Sequence, residues 1–122
     1  MEEKILLVED DPVLQKLYSD LLTSAGLHYE TASDGETGYQ KMSEGGWKLV
    51  LLDLMLPKMN GLDIVKKLKE DPPQNPLGKI VFLTNLEQGK EVGEIKGLGY
   101  EYVIKSDLDP NQFINKVKSS LI

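Results

Sequence analysis

The feature that most constrains this chain is the regular alternation of short apolar runs with segments of helical spacing. Five runs recur, namely Lys4–Val8, His28–Ala32, Leu49–Leu52, Ile80–Leu83 and Tyr102–Ile104. The first, third and fourth are almost continuously apolar, which is typical of strands covered on both faces of a parallel sheet. The second and fifth are weaker, which favours positions near the sheet edges. Strand–helix alternation repeated five times predicts right-handed crossovers and a doubly wound α/β sheet.

The segment after the first run has the spacing of a helix with one buried face. Asp11 and Pro12 supply an N-cap and a first-turn proline, and Gly26 supplies a C-terminal stop. Five residues follow the i, i+3, i+4, i+7, i+8 pattern of that face and are expected to be buried: Leu14, Leu17, Tyr18, Leu21 and Leu22.

Capping signals predict where two later helices begin. Ser33 with Glu36, and Asp109 with Gln112, each have the capping-box spacing. Another helix is expected from Leu62 to Leu68. The fourth connection is the poorest helix former, because its glycines each cost about 0.5–1 kcal/mol relative to alanine. A marginal, mobile helix is expected there, around Gly89, Gly93, Gly97 and Gly99.

Composition excludes several classes of protein. A length of 122 residues suits a single domain, 1–122. A net charge of −6 argues against nucleic-acid binding by this domain, and the lack of cysteine excludes disulfide and thiol chemistry. No segment reaches the ~18 apolar residues of a membrane span, and the acidic start differs from a secretory signal. We therefore expect a cytoplasmic globular protein without membrane contact.

Polar side chains follow four of the five predicted strands. Glu9 and Asp10 follow the first strand, and Asp53 follows the third. Thr84 follows the fourth strand and Lys105 follows the fifth. Ligands of a doubly wound sheet bind beyond the carboxyl ends of its strands, so we expect these five side chains to meet at one edge.

The chemistry of this edge indicates a metal and a phosphoryl group. Three neighbouring carboxylates repel one another, and a hard divalent cation such as Mg²⁺ relieves that repulsion while leaving positions open for phosphoryl oxygens. Lys105 supplies a second positive charge. Asp53 is then a competent nucleophile towards phosphorus, and the Thr84 hydroxyl can donate to a phosphoryl oxygen afterwards.

At this point the chain resembles the receiver domain of two-component response regulators over essentially its whole length. The matching segments are ILLVEDD (5–11), LLDLMLPKMNG (51–61), VFLTN (81–85) and YVIK (102–105). The resemblance implies a flavodoxin-like (βα)5 domain whose five-stranded parallel sheet has the order 2-1-3-4-5. It also implies a signalling domain rather than an enzyme, since such a domain assists only its own phosphorylation and dephosphorylation.

The resemblance assigns roles around the metal. Asp53 resembles the phosphoacceptor, which also binds Mg²⁺. Asp10 resembles the direct metal ligand, and Glu9 the residue that acts through a water. The backbone carbonyl of Met55 falls where the family has a further ligand.

The resemblance also assigns the switch residues, and the chain departs from the family pattern at two positions. Thr84 and Lys105 match the family's hydroxyl and lysine, and Tyr102 matches the aromatic residue that swings inward when the threonine engages the phosphoryl group. Asn85 stands where the family usually has a small residue. Ser106 replaces the family's usual cis proline, and because a non-proline cis bond costs about 2.5–4 kcal/mol, a trans Lys105–Ser106 bond is expected.

Two apolar residues bear on the lifetime of the phosphoryl group. Met55 and Leu86 occupy positions that tune water access in the family. Their apolar character predicts slow loss of phosphate from Asp53, and a phosphorylated state lasting only seconds in magnesium buffer would contradict this.

The resemblance implies partners and leaves alternatives. A histidine kinase or phosphotransfer protein would supply the phosphoryl group, and a protein target or a second copy would read the fourth helix, fifth strand and fifth helix. With no output domain after Ile122, we expect a stand-alone receiver or a piece of a longer protein. A degenerate receiver acting as a phosphorylation-independent interaction module remains an alternative. A haloacid-dehalogenase-type phosphatase would need an acid at Met55, and a flavodoxin a hydroxyl- and glycine-rich first loop.

Overall fold

The structure is a computed structural model that describes residues 4–85 and 89–122. Five strands alternate with five α-helices, and a short 3₁₀ turn precedes the last helix. The strands are β1 (Lys4–Val8), β2 (His28–Ala32), β3 (Leu49–Asp53), β4 (Lys79–Thr84) and β5 (Glu101–Ile104). The helices are α1 (Pro12–Ser24), α2 (Gly35–Glu44), α3 (Gly61–Glu70), α4 (Lys90–Gly97) and α5 (Pro110–Ser120). All five predicted strands are confirmed, three of them with slightly wider bounds.

The strands form one parallel sheet in the order β2-β1-β3-β4-β5, which confirms the expected topology. Every residue of β3 is buried, because successive side chains enter two different cores. Leu49 and Leu51 pack on the face covered by α1 and α5, whereas Val50 and Leu52 pack on the face covered by α2, α3 and α4. Coverage on both faces explains why the central strands are continuously apolar.

Helix α1 begins as predicted but buries fewer of its apolar residues than the spacing predicts. The Asp11 carboxylate caps it by accepting hydrogen bonds from the amides of Val13 (2.9 Å) and Leu14 (3.3 Å). The predicted burial of Leu17 is wrong, since that residue is 44% exposed. The helix meets the sheet through Tyr18 and Leu22, and a step of about 100° per residue turns Leu17 away from them.

The predicted start of α2 at Ser33 is wrong by one residue. The N-cap is Asp34, whose carboxylate accepts a hydrogen bond of 2.8 Å from the amide of Thr37. The amide of Gly35 donates to the carbonyl of Pro57 at 3.1 Å, which ties the first turn to the loop after β3. A local cap at Asp34 and a tertiary contact at Gly35 therefore both mark the start of the helix.

The remaining helices follow the prediction more closely. The capping box of α5 is confirmed, because the Asp109 carboxylate accepts from Gln112 N–H at 2.8 Å and the Gln112 side chain accepts from Asp109 N–H at 2.9 Å. Helix α4 forms despite its glycines, with Val92 and Ile95 buried. Leu86 lies outside the described residues. The mobility expected of α4 stays a prediction.

The segment after β5 takes the path expected without a cis proline. No cis peptide bond occurs within residues 4–85 and 89–122, so the Lys105–Ser106 bond is trans, and Lys105–Asp107 form the 3₁₀ turn. In the same described ranges, no helix combines the length and the apolar character required to cross a bilayer.

Candidate functional site

Four of the predicted site residues meet at the carboxyl ends of β1, β3 and β5. Glu9 and Asp10 directly follow β1, Asp53 is the last residue of β3, and Lys105 directly follows β5. Strand order reverses between β1 and β3, so this edge is the position where doubly wound sheets bind ligands. A cleft of about 260 Å³ opens there, and its lining consists of Glu9, Asp10, Asp11, Leu14, Asp53, Met55, Asn85 and Lys105.

A buried three-residue ion cluster forms the floor of the cleft. The Lys105 ammonium lies 2.7 Å from Glu9 Oε1 and 2.9 Å from Asp53 Oδ2. The Lys105 side chain is only 7% exposed, whereas lysine side chains usually lie at the protein surface. The second oxygen of Asp53 accepts a 3.3 Å hydrogen bond from the amide of Met55. Two buried carboxylates thus share one buried ammonium.

This crowding changes the protonation of Asp53. Burial, followed by the hydrogen-bonding and charge effects of Glu9, raises the pKa of the Asp53 carboxyl to about 7, against the opposing effect of Lys105. Burial by itself lowers the pKa of the Lys105 ammonium, but its contacts with Glu9 and Asp53 outweigh burial and raise it overall. When Asp53 is ionised, the cluster carries one negative charge more than its single ammonium can balance.

The three acidic residues of the loop after β1 differ in burial and in their contacts. Glu9 is completely buried, whereas Asp10 is exposed to the cleft. Asp11 caps α1, as predicted, and its own amide donates to Glu9 Oε2 at 3.1 Å. The loop thus leaves Asp10 facing solvent while it draws Glu9 inward.

The donor set of the cleft fits a hard divalent cation. Glu9, Asp10 and Asp53 each place a carboxylate oxygen within 4.8 Å of the others. Glu9 Oε1 is buried and accepts no hydrogen bond from the described residues, although it faces the Lys105 ammonium. Oxygen ligands are those that Mg²⁺ and Ca²⁺ prefer, and a cation here would neutralise the excess negative charge.

Thr84 and Tyr102 lie on β4 and β5, and neither belongs to the described lining of the cleft. Thr84 ends β4, is 1% exposed and pairs in register with Ile104. Tyr102 is half-buried against the core on the α2–α4 side, and the Lys96 ammonium lies 5.6 Å from the centre of its ring. Asn85, one of the two departures from the family pattern, is exposed and lines the cleft.

Sequence reasoning missed one residue that supports the site. Gln15 lies on α1, and its side-chain amide donates to the backbone carbonyl of Glu9 at 2.8 Å. A polar residue within the predicted helix gave no reason to expect this contact. The only available signal was its position one helical turn after Asp11.

The chain belongs to the response-regulator receiver family. The family described as "Response regulator receiver domain" matches residues 5–118. The CpxR homolog of Haemophilus influenzae, a transcriptional regulatory protein, is 32% identical over 120 residues, which are 97% of this chain and 50% of that protein. The transcriptional regulatory protein SrrA of Staphylococcus aureus is 31% identical over 124 residues, covering 99% and 48%. The chain spans about half the length of these curated relatives.

Solved structures share the fold. A CheY-like receiver domain protein from Methanospirillum hungatei has a TM-score of 0.84 at 24% identity, covering 99% of this chain and 94% of that one. CheY4 of Vibrio cholerae also gives 0.84 at 24% identity, covering 99% and 100%. The receiver domain of the sensor histidine kinase PA1611 from Pseudomonas aeruginosa gives 0.84 at 21% identity, covering 99% and 98%, and has a magnesium ion in its active-site cleft.

Proposed function

We propose that Asp53 is the phosphoacceptor of a two-component signalling domain that comprises residues 1–122. The observation that carries this proposal is a buried Asp53 carboxylate at the floor of an open cleft, 2.9 Å from the Lys105 ammonium. A carboxylate oxygen of Asp53 forms the new O–P bond as the N–P bond of a phosphohistidine breaks, and the electron pair of that bond stays on the imidazole nitrogen. The donor is a histidine kinase or a phosphotransfer protein, and the domain acts in the cytoplasm.

Mg²⁺ is the proposed cofactor. Asp10 and Asp53 would hold it directly, with the backbone carbonyl of Met55, and Glu9 would act through a water. When bound, the ion neutralises negative charge on the transferring phosphoryl group. The cluster of oxygen ligands around the cleft supports this assignment, as does the magnesium ion in the active-site cleft of the PA1611 receiver domain.

Lys105 and Thr84 are proposed to stabilise the phosphorylated state. The Lys105 ammonium already contacts Asp53, so it can neutralise charge on a phosphoryl oxygen without moving far. The Thr84 hydroxyl would donate to another such oxygen. Thr84 is the last residue of the strand next to β3, so it lies at the same edge of the sheet as Asp53.

The proposed output is a change of the face formed by α4, β5 and α5, with Thr84 and Tyr102 as the switch. Gly89 precedes α4 and has no side chain to cap it, and the interior of the helix contains Gly93. A weakly held helix next to Tyr102 is an element that a small signal can bias. A downstream protein or a second copy would bind this face. The phosphorylation-independent alternative is not favoured, because the acids and the lysine are assembled at one site.

The test is intact-mass measurement after treatment with acetyl phosphate and Mg²⁺. We expect one phosphoryl group on the wild-type protein and none on Asp53→Asn. Asp63→Asn, which removes an exposed carboxylate on α3, is the matched control and should be labelled like the wild type. Labelling of Asp53→Asn at the wild-type level would refute the assignment. Size-exclusion chromatography of the labelled protein then tests whether phosphorylation changes self-association.

A further inference from the structure

Gln15 makes three polar contacts through one nitrogen, where α1 meets the ends of β1 and β2. Its Nε2 lies 2.8 Å from the carbonyl oxygen of Glu9, 3.1 Å from Ser33 Oγ and 3.4 Å from the carbonyl oxygen of Ala32. The contacts join α1 to the ends of β1 and β2. The shortest is the one to Glu9, the residue that is completely buried beside the metal-ligand set.

The contact with Glu9 completes the backbone hydrogen bonding of a buried residue. The amide of Glu9 donates to the carbonyl of Ala32 at 3.0 Å, which continues the sheet one residue beyond β1. The carbonyl of Glu9 points towards α1, where Gln15 supplies its donor. A buried carbonyl without a donor costs about 1–3 kcal/mol, so this orientation of the peptide depends on the Gln15 side chain.

We infer that Gln15 is a positioning residue that holds the Glu9–Asp10 peptide plane so that both carboxylates are preorganised for the cation. This inference rests on the proposed function, because it takes Glu9 and Asp10 as metal ligands. The plane that Gln15 fixes leads directly into Asp10, so its rotation would displace the Asp10 carboxylate. Outer-shell partners of metal ligands typically contribute 10–100-fold to metal affinity.

The experiment is calorimetric titration of the full chain with Mg²⁺, with thermal unfolding measured on the same samples. Gln15→Met keeps the approximate size of the side chain and removes its donor. Gln15→Glu also removes the donor but adds a negative charge near the cation. Gln112→Met is the matched control, because it removes a side-chain contact to a backbone amide at α5.

We expect Gln15→Met to raise the Kd for Mg²⁺ about tenfold or more. Gln15→Glu should raise it too, although the added charge alone would lower it. Gln112→Met should lose thermal stability and keep the wild-type Kd. An unchanged Kd for Gln15→Met, a lower Kd for Gln15→Glu, or an equal rise for Gln112→Met would overturn the inference. If Gln15→Met does not fold, Gln15→Asn, whose shorter amide falls short of the Glu9 carbonyl, replaces it with the same expected rise.

The outcomes separate this inference from the proposed function. A wild-type protein that neither binds Mg²⁺ nor accepts a phosphoryl group would refute the proposed function. A wild-type protein that does both, together with an unchanged Kd for Gln15→Met, would refute only the positioning role of Gln15.

Discussion

Replacing Asp53 by asparagine should stabilise the metal-free protein at alkaline pH. In the cluster of Glu9, Asp53 and Lys105, two carboxylates face one ammonium. Burial and the neighbouring Glu9 raise the pKa of Asp53 from 3.8 to about 7. Because one pKa unit corresponds to about 1.4 kcal/mol, the ionised Asp53 destabilises the fold by at most about 4 kcal/mol. Sharing of the proton between coupled groups reduces this destabilisation. We therefore expect Asp53→Asn to raise the free energy of unfolding by about 2–4 kcal/mol above pH 7.

The sign of the pH dependence follows from linkage. The folded state holds a proton on Asp53 up to about pH 7, whereas the unfolded chain releases it near pH 4. Between those values the folded state binds more protons, so the contribution of Asp53 to stability falls as the pH rises. The advantage of Asp53→Asn over the wild type should therefore be small near pH 4, grow through this window, and level off above pH 7.

Urea unfolding in EDTA at several pH values is the assay. Trp47, the only tryptophan, is 1% exposed, so its fluorescence reports unfolding of the core. Asp63→Asn makes the same change in net charge at an exposed position and should show no such pH-dependent gain. An Asp53→Asn protein no more stable than the wild type at pH 8 would refute the reasoning. Saturating Mg²⁺ should reverse the order, because the ion stabilises the wild-type fold by mass action.

Three further substitutions test other parts of the structure by the same unfolding assay. Lys105→Ala removes the shared cation of a buried cluster and should cost about 3 kcal/mol in EDTA, with recovery in Mg²⁺; an unchanged stability in EDTA would contradict the buried cluster. Gly35→Ala places a β-carbon on the carbonyl of Met59 and should cost about 1–3 kcal/mol, and a neutral effect would contradict the close approach of α2 to that loop. Gly93→Ala meets no atom within 4 Å and should stabilise α4 by about 0.5–1 kcal/mol, while a loss of stability would contradict the helical geometry at this position.

The strands were predictable because burial on both faces leaves a local signature. Val50 and Leu52 enter one core and Leu49 and Leu51 the other, and this arrangement requires a continuous apolar run that is visible in the sequence. The capping box at Asp109 was predictable for a similar reason, since both of its hydrogen bonds lie within four residues. Features of this kind depend on near neighbours along the chain.

The helix boundaries and buried faces were less predictable, because distant contacts decide them. The start of α2 depends on the bond between Gly35 and Pro57, which are far apart in the sequence. Leu17 fits the apolar spacing of α1, yet the angle at which that helix lies on the sheet leaves it exposed. Asp34 gives α2 a local cap, but the distant contacts behind both outcomes are not encoded in the pattern of either segment.

The five-stranded α/β fold, and the expectation that five polar residues share one edge, follow from the chain alone, because strand ends in a doubly wound sheet converge by topology. How these residues meet depends on tertiary packing. It buries Lys105 between Glu9 and Asp53 and uses Gln15 to hold the acidic loop. Charge balance and hydrogen bonding in a dry site depend on ångström-scale distances between groups that are remote along the chain, and no local pattern carries that information.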